Sequence, residues 1–257
     1  MIEILIICCV IFIILTFFYK QAIHEFRINQ IEWSQRETSY ELLQERVPLI
    51  IRNIPPVNFW TTDDIIARDC YKHLDVFKEL SLSSWLSSVQ RDNTVIKCPW
   101  TDLQAEKIAT VSGINIWANK WMNPTIIHPF LRWWLRPTYY CWAGNIGLRK
   151  TYATWTCLFP VDGEITVTIM TETSENELPV MWHGCFPSEL TVKDTPFLED
   201  LKFIDIKLRP GTCLFMPAHW FISWVSTTNK LATSCTISYH TPISWLSNTL
   251  GNKNPRS

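Results

Sequence analysis

Glycine is scarce in this chain, and the local motifs of several common enzyme classes are missing. Only 7 of the 257 residues are glycine, which argues against a glycine-rich loop that cradles a phosphate group. The sequence has no P-loop, no G-x-S-x-G elbow, no H-E-x-x-H pair and no zinc-ligand spacing. Neither sign of charge is in excess, with 23 basic and 24 acidic residues, so we expect no nucleic-acid partner.

The cysteines lack the pattern of a disulfide scaffold or a zinc site. There are 9 of them, an odd number, spread along the chain without a C-x-x-C pair. Secreted scaffolds use dense, even-numbered cysteines, and zinc sites use closely paired ligands. We therefore expect free, mostly buried thiols in a reducing compartment.

A long apolar run opens the chain. Residues 4–19 (ILIICCVIFIILTFFY) contain no charge, glycine or proline. As a helix this run is roughly 24 Å long, and its aromatic end extends it towards a bilayer core of about 30 Å. A signal peptide begins with basic residues, whereas the early side-chain charge here is Glu3, and a buried helix is rarely so uniformly apolar. We predict a transmembrane anchor over residues 1–20, with Ile4, Phe12 and Tyr19 in the span.

The charges next to this run predict its orientation. Lys20 and Arg27 follow the run, and no basic side chain precedes it. The positive-inside rule then places the rest of the chain in the cytosol. We therefore expect a single-pass membrane protein with a cytosolic C-terminal domain.

The remaining chain divides into a linker, one large domain and a tail. Residues 21–45 are polar with apolar residues at near-helical spacing, which predicts a helical stalk or linker. Residues 46–245 form the predicted domain, and residues 246–257 a polar tail. Helical patterns over 62–90 precede a strand-rich second half, which predicts a mainly β jelly roll with N-terminal helical additions. The predicted strands cover residues 47–54, 94–97, 151–159, 164–171, 203–208, 212–216, 220–226 and 232–239.

Three blocks carry a resemblance to a known family. They are residues 47–54 (VPLIIRNI), residues 142–168 (WAGNIGLRKTYATWTCLFPVDGEITVT) and residues 194–225, which end in LRPGTCLFMPAHWFISWV. These blocks resemble the JmjC/cupin-like double-stranded β-helix of Fe(II)/2-oxoglutarate dioxygenases. The resemblance implies a cupin-like jelly roll, and in that family the fold holds Fe(II) on two His and one carboxylate.

The family's metal positions hold other residues here. Aligned on the turn at Gly163, the first His slot falls on Lys150 and the carboxylate slot on Tyr152. The distal His slot falls on Ile222, and the position that usually binds 2-oxoglutarate on Ile165. An ammonium group repels a metal ion, and an aliphatic side chain cannot bind one. The resemblance therefore predicts a degenerate domain with no catalytic residues, no metal and no cofactor, which acts as a binding or scaffold module for an unknown protein partner.

Two alternatives remain open. Displaced ligands, His183 and His219 with a nearby acid such as Glu189 or Asp194, would give an active Fe(II)/2-oxoglutarate-dependent hydroxylase. An unrelated jelly-roll interaction domain would share the strand pattern without the family's ancestry.

One basic-aromatic segment suggests a second membrane contact. Residues 128–140 (HPFLRWWLRPTYY) include Arg132, Trp133, Trp134 and Arg136. Such a mixture suits a membrane interface. The same residues also suit a core-facing segment whose arginines reach solvent, and we favour that interpretation.

Overall fold

The computed structural model describes residues 2–20, 27–72, 74–77, 80–92, 97–128, 133–191, 200–228 and 230–251. The helices are α1 (Ile2–Lys20), α2 (Ser39–Gln44), α3 (Thr62–Ala67), α4 (Asp69–Lys72), α5 (Leu82–Asp92), α6 (Asp102–Ser112), α7 (Ile114–Lys120), α8 (Met122–Ile126) and α9 (Pro242–Gly251). The strands are β1 (Asn29–Glu32), β2 (Leu49–Arg52), β3 (Asp75–Phe77), β4 (Leu80–Ser81), β5 (Arg136–Ala143), β6 (Ile146–Lys150), β7 (Trp155–Asp162), β8 (Ile165–Met170), β9 (Phe203–Leu208), β10 (Thr212–Pro217), β11 (Phe221–Ser226) and β12 (Thr233–His240).

Two sheets face each other across the main core. The larger has the order β1-β2-β10-β7-β12-β5, and the smaller has the order β6-β11-β8-β9. From β5 to β12 the chain passes repeatedly between the two sheets, and all their pairings except that of β1 with β2 are antiparallel. This strand order is that of a cupin-like jelly roll. The predicted mainly β fold is therefore confirmed.

Most predicted strands are present, with shifted ends. β9 has the predicted bounds, and β10 extends one residue further, to Pro217. β7 begins at Trp155, four residues later than predicted. β5 and β6 were not predicted as strands. Most of the strand predicted over 94–97 lies outside the described residues, although Lys97 forms a parallel bridge with Asn145.

The helical half covers the outer side of the larger sheet. The predicted helical region over 62–90 contains α3, α4, the paired strands β3 and β4, and most of α5. Thr61 caps the start of α3, because its side chain accepts a hydrogen bond from the Asp64 amide. Tryptophan indoles connect these layers: Trp60 donates to the Trp142 carbonyl at 2.9 Å, and Trp100 donates to the Cys141 carbonyl at 3.0 Å.

The N-terminal helix requires a correction. Among the helices of the described residues, none is long and apolar enough to cross a membrane. The single-pass transmembrane helix predicted over residues 1–20 is therefore not supported. The 19 residues of α1 measure about 28 Å, just short of a bilayer core of about 30 Å. The last turn of α1 is attached to the domain, because the Tyr19 hydroxyl donates to the Tyr152 carbonyl at 2.5 Å.

The predicted linker and tail also take a different form. Residues 21–26 lie outside the described residues, but β1 joins the larger sheet beside β2, and a 3-10 turn (Trp33–Thr38) and α2 follow it. A strand therefore stands where part of a helical stalk was predicted. At the other end, the expected tail boundary at residue 246 falls inside α9, which packs against α1 and β12.

Candidate functional site

The family's metal positions lie at one end of the barrel, where β6 ends and β11 begins. These strands are antiparallel neighbours, with Arg149 opposite Ile222 and Lys150 opposite Phe221. Successive side chains of a strand point to opposite faces of the sheet. Ile222 belongs to the main core, whereas Phe221 packs in a smaller cluster on the other side of the sheet. Lys150 and Ile222 therefore do not share a face, and the residue opposite Ile222 is Arg149.

Arg149 is directed between the two sheets. Its guanidinium carbon lies 4.5 Å from the ring centre of Trp142 in the larger sheet and 5.9 Å from that of Trp224 in the smaller one. The two indoles meet edge to face, with their ring centres 6.2 Å apart. The guanidinium also pairs with Asp102 at 3.1 Å, at the start of α6. A cation thus occupies the position opposite Ile222, and it is held by two aromatic rings and one carboxylate.

No arrangement of these residues fits the Fe(II)/2-oxoglutarate site. Two positions after Arg149 stands Thr151, whose buried hydroxyl bonds to the carbonyls of Pro217 at 2.9 Å and Trp220 at 3.0 Å. Ile165, at the expected 2-oxoglutarate position, is buried in the main core. Whether the motif is counted from Arg149 or from Lys150, it lacks the His and the carboxylate that iron needs.

Lys150 is the centre of a charged cluster at the end of the barrel where β6 ends and β11 begins, which we call the rim. Its ammonium group lies 2.7 Å from Glu175 and 3.3 Å from Glu172, both in the 3-10 turn after β8, and 5.5 Å from the centre of the Phe221 ring. Burial alone lowers the pKa of Lys150, but the hydrogen bonds and charges of the two glutamates outweigh it, so the pKa is raised. Burial raises the pKa of the nearby Tyr152. The cluster holds Lys150 in its charged form.

His219 lies beside the end of α1. Its ring centre is 4.8 Å from that of Tyr19, edge to face, and its Nδ1 is 4.0 Å from a carboxylate oxygen of Glu172. Its backbone has φ +70°, and its amide donates to the Thr151 carbonyl at 2.6 Å. His219 thus helps to hold α1 against the rim.

His183 lies in a different part of the structure from His219. It packs on Trp182 with ring centres 5.6 Å apart, in a segment that runs along β6, where the Gly184 amide donates to the Leu148 carbonyl. Burial, and then the positive charge of Arg149, lower the pKa of His183. The Glu189 carboxylate accepts from the amide of Phe186, and Asp194 lies outside the described residues.

The two histidines proposed as displaced ligands therefore contact different neighbours. Across the ranges that the structure describes, no group of three or more His, Cys, Asp or Glu side chains is arranged to hold a metal ion.

The residues predicted to contact a membrane fall into two groups. Ile4 is 67% and Phe12 52% exposed, whereas Tyr19 docks on the rim. Trp133 is 76% exposed, Trp134 lines a cavity under α1, and Arg136 begins β5 opposite His240. Arg132 lies outside the described residues.

Sequence reasoning missed Arg149, the two glutamates and the docking of Tyr19. Arg149 stands next to Lys150, so a register shifted by one residue identifies it. The glutamates and Tyr19 are brought to the rim by tertiary contacts, and no local sequence signal points to them.

Comparison with known proteins adds little. No family model and no curated protein matches the sequence. Among solved structures, part of the chain is similar to the "Drosophila melanogaster CENP-C cupin domain", with a TM-score of 0.25 and 10% identity; the match covers 38% of this chain and 57% of that one. The cupin-like assignment therefore depends on the strand order and not on this likeness.

Proposed function

We propose that this chain is a lipid-associated, cupin-like module that binds or scaffolds other molecules without Fe(II)/2-oxoglutarate chemistry. In this proposal it is a degenerate relative of the JmjC-type hydroxylases. The observation that carries it is the pairing of Arg149 with Ile222 across β6 and β11. A cation and an aliphatic side chain stand where two metal-binding histidines would face each other.

The rim residues support the loss of catalysis. Lys150 is paired with Glu172 and Glu175, and the Arg149 guanidinium is paired with Asp102 and lies over two indole rings, although its Nε has no hydrogen-bond partner. These groups stabilise one another, so none of them is available to bind a metal ion in their present arrangement.

The lipid association is supported by the exposed face of α1. Large apolar side chains are exposed along it, namely Ile4, Leu5, Ile6, Ile7, Val10, Ile11, Phe12, Ile13, Ile14 and Phe17. An exposed apolar patch of this extent marks a membrane or protein contact. Because its last turn is docked, the free part of α1, residues 2–14, is about 20 Å long, enough to enter a bilayer without crossing it.

The thiols support a reducing compartment. All nine cysteines are free, including Cys141 and Cys235, whose sulfur atoms lie 3.6 Å apart on neighbouring strands. Free, buried thiols are typical of proteins in a reducing compartment, where disulfides are rare. We therefore propose that the domain faces the cytosol.

Metal analysis of the full chain tests the proposed absence of Fe(II)/2-oxoglutarate chemistry. After anaerobic incubation with Fe(II) and desalting, we expect far less than one iron per chain. About one iron per chain, lost in His183→Ala or His219→Ala but kept in a His128→Ala control, would instead support an oxygenase with displaced ligands.

Flotation with phosphatidylcholine vesicles tests the proposed lipid association. The full chain should float with the vesicles, and Ile7→Lys/Ile11→Lys should reduce the bound fraction at least tenfold, because buried lysines cost about 2.5–3.5 kcal/mol each. Val180→Lys/Met181→Lys, at two other exposed apolar residues, should float like the unmodified chain. Equal flotation of both double variants would refute insertion through α1.

Thiol labelling checks the same contact without mutation. Cys8 and Cys9 are exposed on α1, and Cys70 is exposed on the domain. A charged maleimide should label Cys70 with or without vesicles. It should label Cys8 and Cys9 only when vesicles are absent, and undiminished labelling of these two on vesicles would contradict insertion.

A further inference from the structure

Two cavities meet beneath the docked end of α1. One has a volume of about 160 Å³ and is covered by Leu15, Phe18 and Tyr19. The other has a volume of about 230 Å³ and lies towards α2. They share four lining residues, namely Trp134, Thr154, Trp155 and Thr241. The two cavities therefore lie side by side with a shared wall, and their combined volume reaches the lower part of the range of about 300–1,000 Å³ found for small-molecule sites.

The walls of this paired cavity are mostly apolar. Trp134 and Trp155 separate its two halves, and Trp220 closes one side. The hydroxyl of Thr154 already lies within hydrogen-bond distance of Thr241, at 3.3 Å, and Ser244, at 3.2 Å. An alkyl chain therefore suits these walls better than a sugar or a nucleotide, which would need several polar partners.

The lining of the paired cavity carries the positive charge of Arg46. Arg46 lines the first half, and no carboxylate lines either half among the described residues. A guanidinium has five N–H donors, so it can donate to a further anionic oxygen beside an existing partner. The cavity thus combines an apolar interior with one fixed cation, which suits a ligand with an alkyl chain and one anionic end.

The exposed surface around the cavity gives such a ligand a route. The outer side of α1 is apolar, and the exposed Trp133 packs edge to face on Trp134, with ring centres 5.2 Å apart. A chain that leaves a lipid layer along α1 would reach the cavity without crossing a polar surface.

We propose that the paired cavity binds the alkyl chain of a long-chain fatty acid, with the carboxylate at Arg46. The route of entry rests on the proposed lipid association, whereas the cavity itself does not.

Oleate binding to the full chain, kept in a non-ionic detergent, tests this proposal by native mass spectrometry. We expect a saturable adduct of one oleate per chain. Arg46→Gln should weaken oleate binding roughly tenfold, because a charge-assisted hydrogen bond is lost, and should leave the binding of oleyl alcohol unchanged. Arg52→Gln, at an exposed arginine outside the cavity lining, is the matched control.

A cavity-filling variant keeps the test decisive if Arg46→Gln disturbs the fold. Ala218 lines the first half, and Ala218→Phe should abolish the oleate adduct while the thermal unfolding midpoint and vesicle flotation stay unchanged. The absence of a saturable adduct in the unmodified chain, or an equal adduct in folded Ala218→Phe, would overturn the proposal. If oleate binds but the chain does not float, the lipid-surface role fails and the cavity assignment stands.

Discussion

Replacing Lys150 by methionine should destabilise the domain measurably at neutral pH. The ammonium group is the one partner that Glu172 and Glu175 share, at 3.3 and 2.7 Å. Methionine keeps most of the apolar contact with the Phe221 ring but removes the positive charge. The two carboxylates are then left close together without compensation.

The magnitude follows from the exposure of the three groups. The Lys150 side chain is 8% exposed, whereas Glu172 and Glu175 are 35% and 45% exposed. Breaking a fully buried pair costs about 3–5 kcal/mol, and breaking an exposed one about 0–1 kcal/mol. Because solvent screens both carboxylates, we expect Lys150→Met to lose about 1–2 kcal/mol of unfolding free energy.

The pH dependence has a definite sign. The pKa of Lys150 is raised in the folded chain above its ordinary value of 10.5. Its contribution is therefore fully present below pH 10.5 and is lost as the pH rises through the folded-state pKa. The stability difference between the unmodified chain and Lys150→Met should be constant from pH 7 to about 9.5 and shrink above it.

Urea unfolding followed by circular dichroism measures the effect. Lys207→Met, at an exposed lysine of β9, should change the unfolding free energy by less than about 0.5 kcal/mol. The triple variant Lys150→Met/Glu172→Gln/Glu175→Gln should recover most of the loss, because no uncompensated charge remains. If Lys150→Met is as stable as the Lys207→Met control, or if the triple variant recovers nothing, the charged cluster does not stabilise the rim.

Three further predictions concern residues around the sheets. Gly147→Ala should lower the unfolding free energy by about 1–3 kcal/mol in a denaturant titration, because the new Cβ would lie 2.2 Å from the Gly184 carbonyl oxygen. Burial lowers the pKa of His240 to about 4 from 6.5, so stability should fall by up to about 3 kcal/mol as the pH drops from 6.5 to 4, and His240→Phe should remove this slope. Burial raises the pKa of the Cys98 thiol to about 12, so iodoacetamide at pH 8 should modify the exposed Cys70 and spare Cys98 until the chain is unfolded.

The strands of the second half could be predicted where turns and alternation coincide. Both ends of β9 were predicted correctly, because alternating residues precede the Pro210-Gly211 turn. β5 and β6 were missed for a physical reason. β5 contains aromatic residues and a proline at its start, and β6 is buried along its first residues, so neither shows an alternating pattern.

The register of the candidate site could not be obtained by counting residues. Thr233 pairs with Asp162, but Ser234 pairs with Pro160, so β7, which lies between the site and Gly163, contains one extra residue relative to β12. Such a bulge shifts the alternation of inward and outward side chains by one position. Counting along the chain assumes regular strands, which is why it selected Lys150 instead of Arg149.

Local sequence patterns could not predict the docking of α1 either. Hydropathy identifies an apolar helix, but it carries no information about the partner of Tyr19. That partner is the carbonyl of Tyr152, which lies 133 residues further along the chain. A long-range contact of this kind is decided by the shape of the folded rim, and only the structure could reveal it.

The mouth of the barrel also explains why a single substitution would not create a metal site. Arg149→His would leave Asp102 without its cation and would remove the group that lies over Trp142 and Trp224. Ile222→His would add a polar ring to a fully packed part of the main core, where an unpaired polar group costs about 1–3 kcal/mol. Each step towards a metal ligand thus first removes an interaction that stabilises the rim. A histidine at either position would therefore destabilise the rim without completing a metal site.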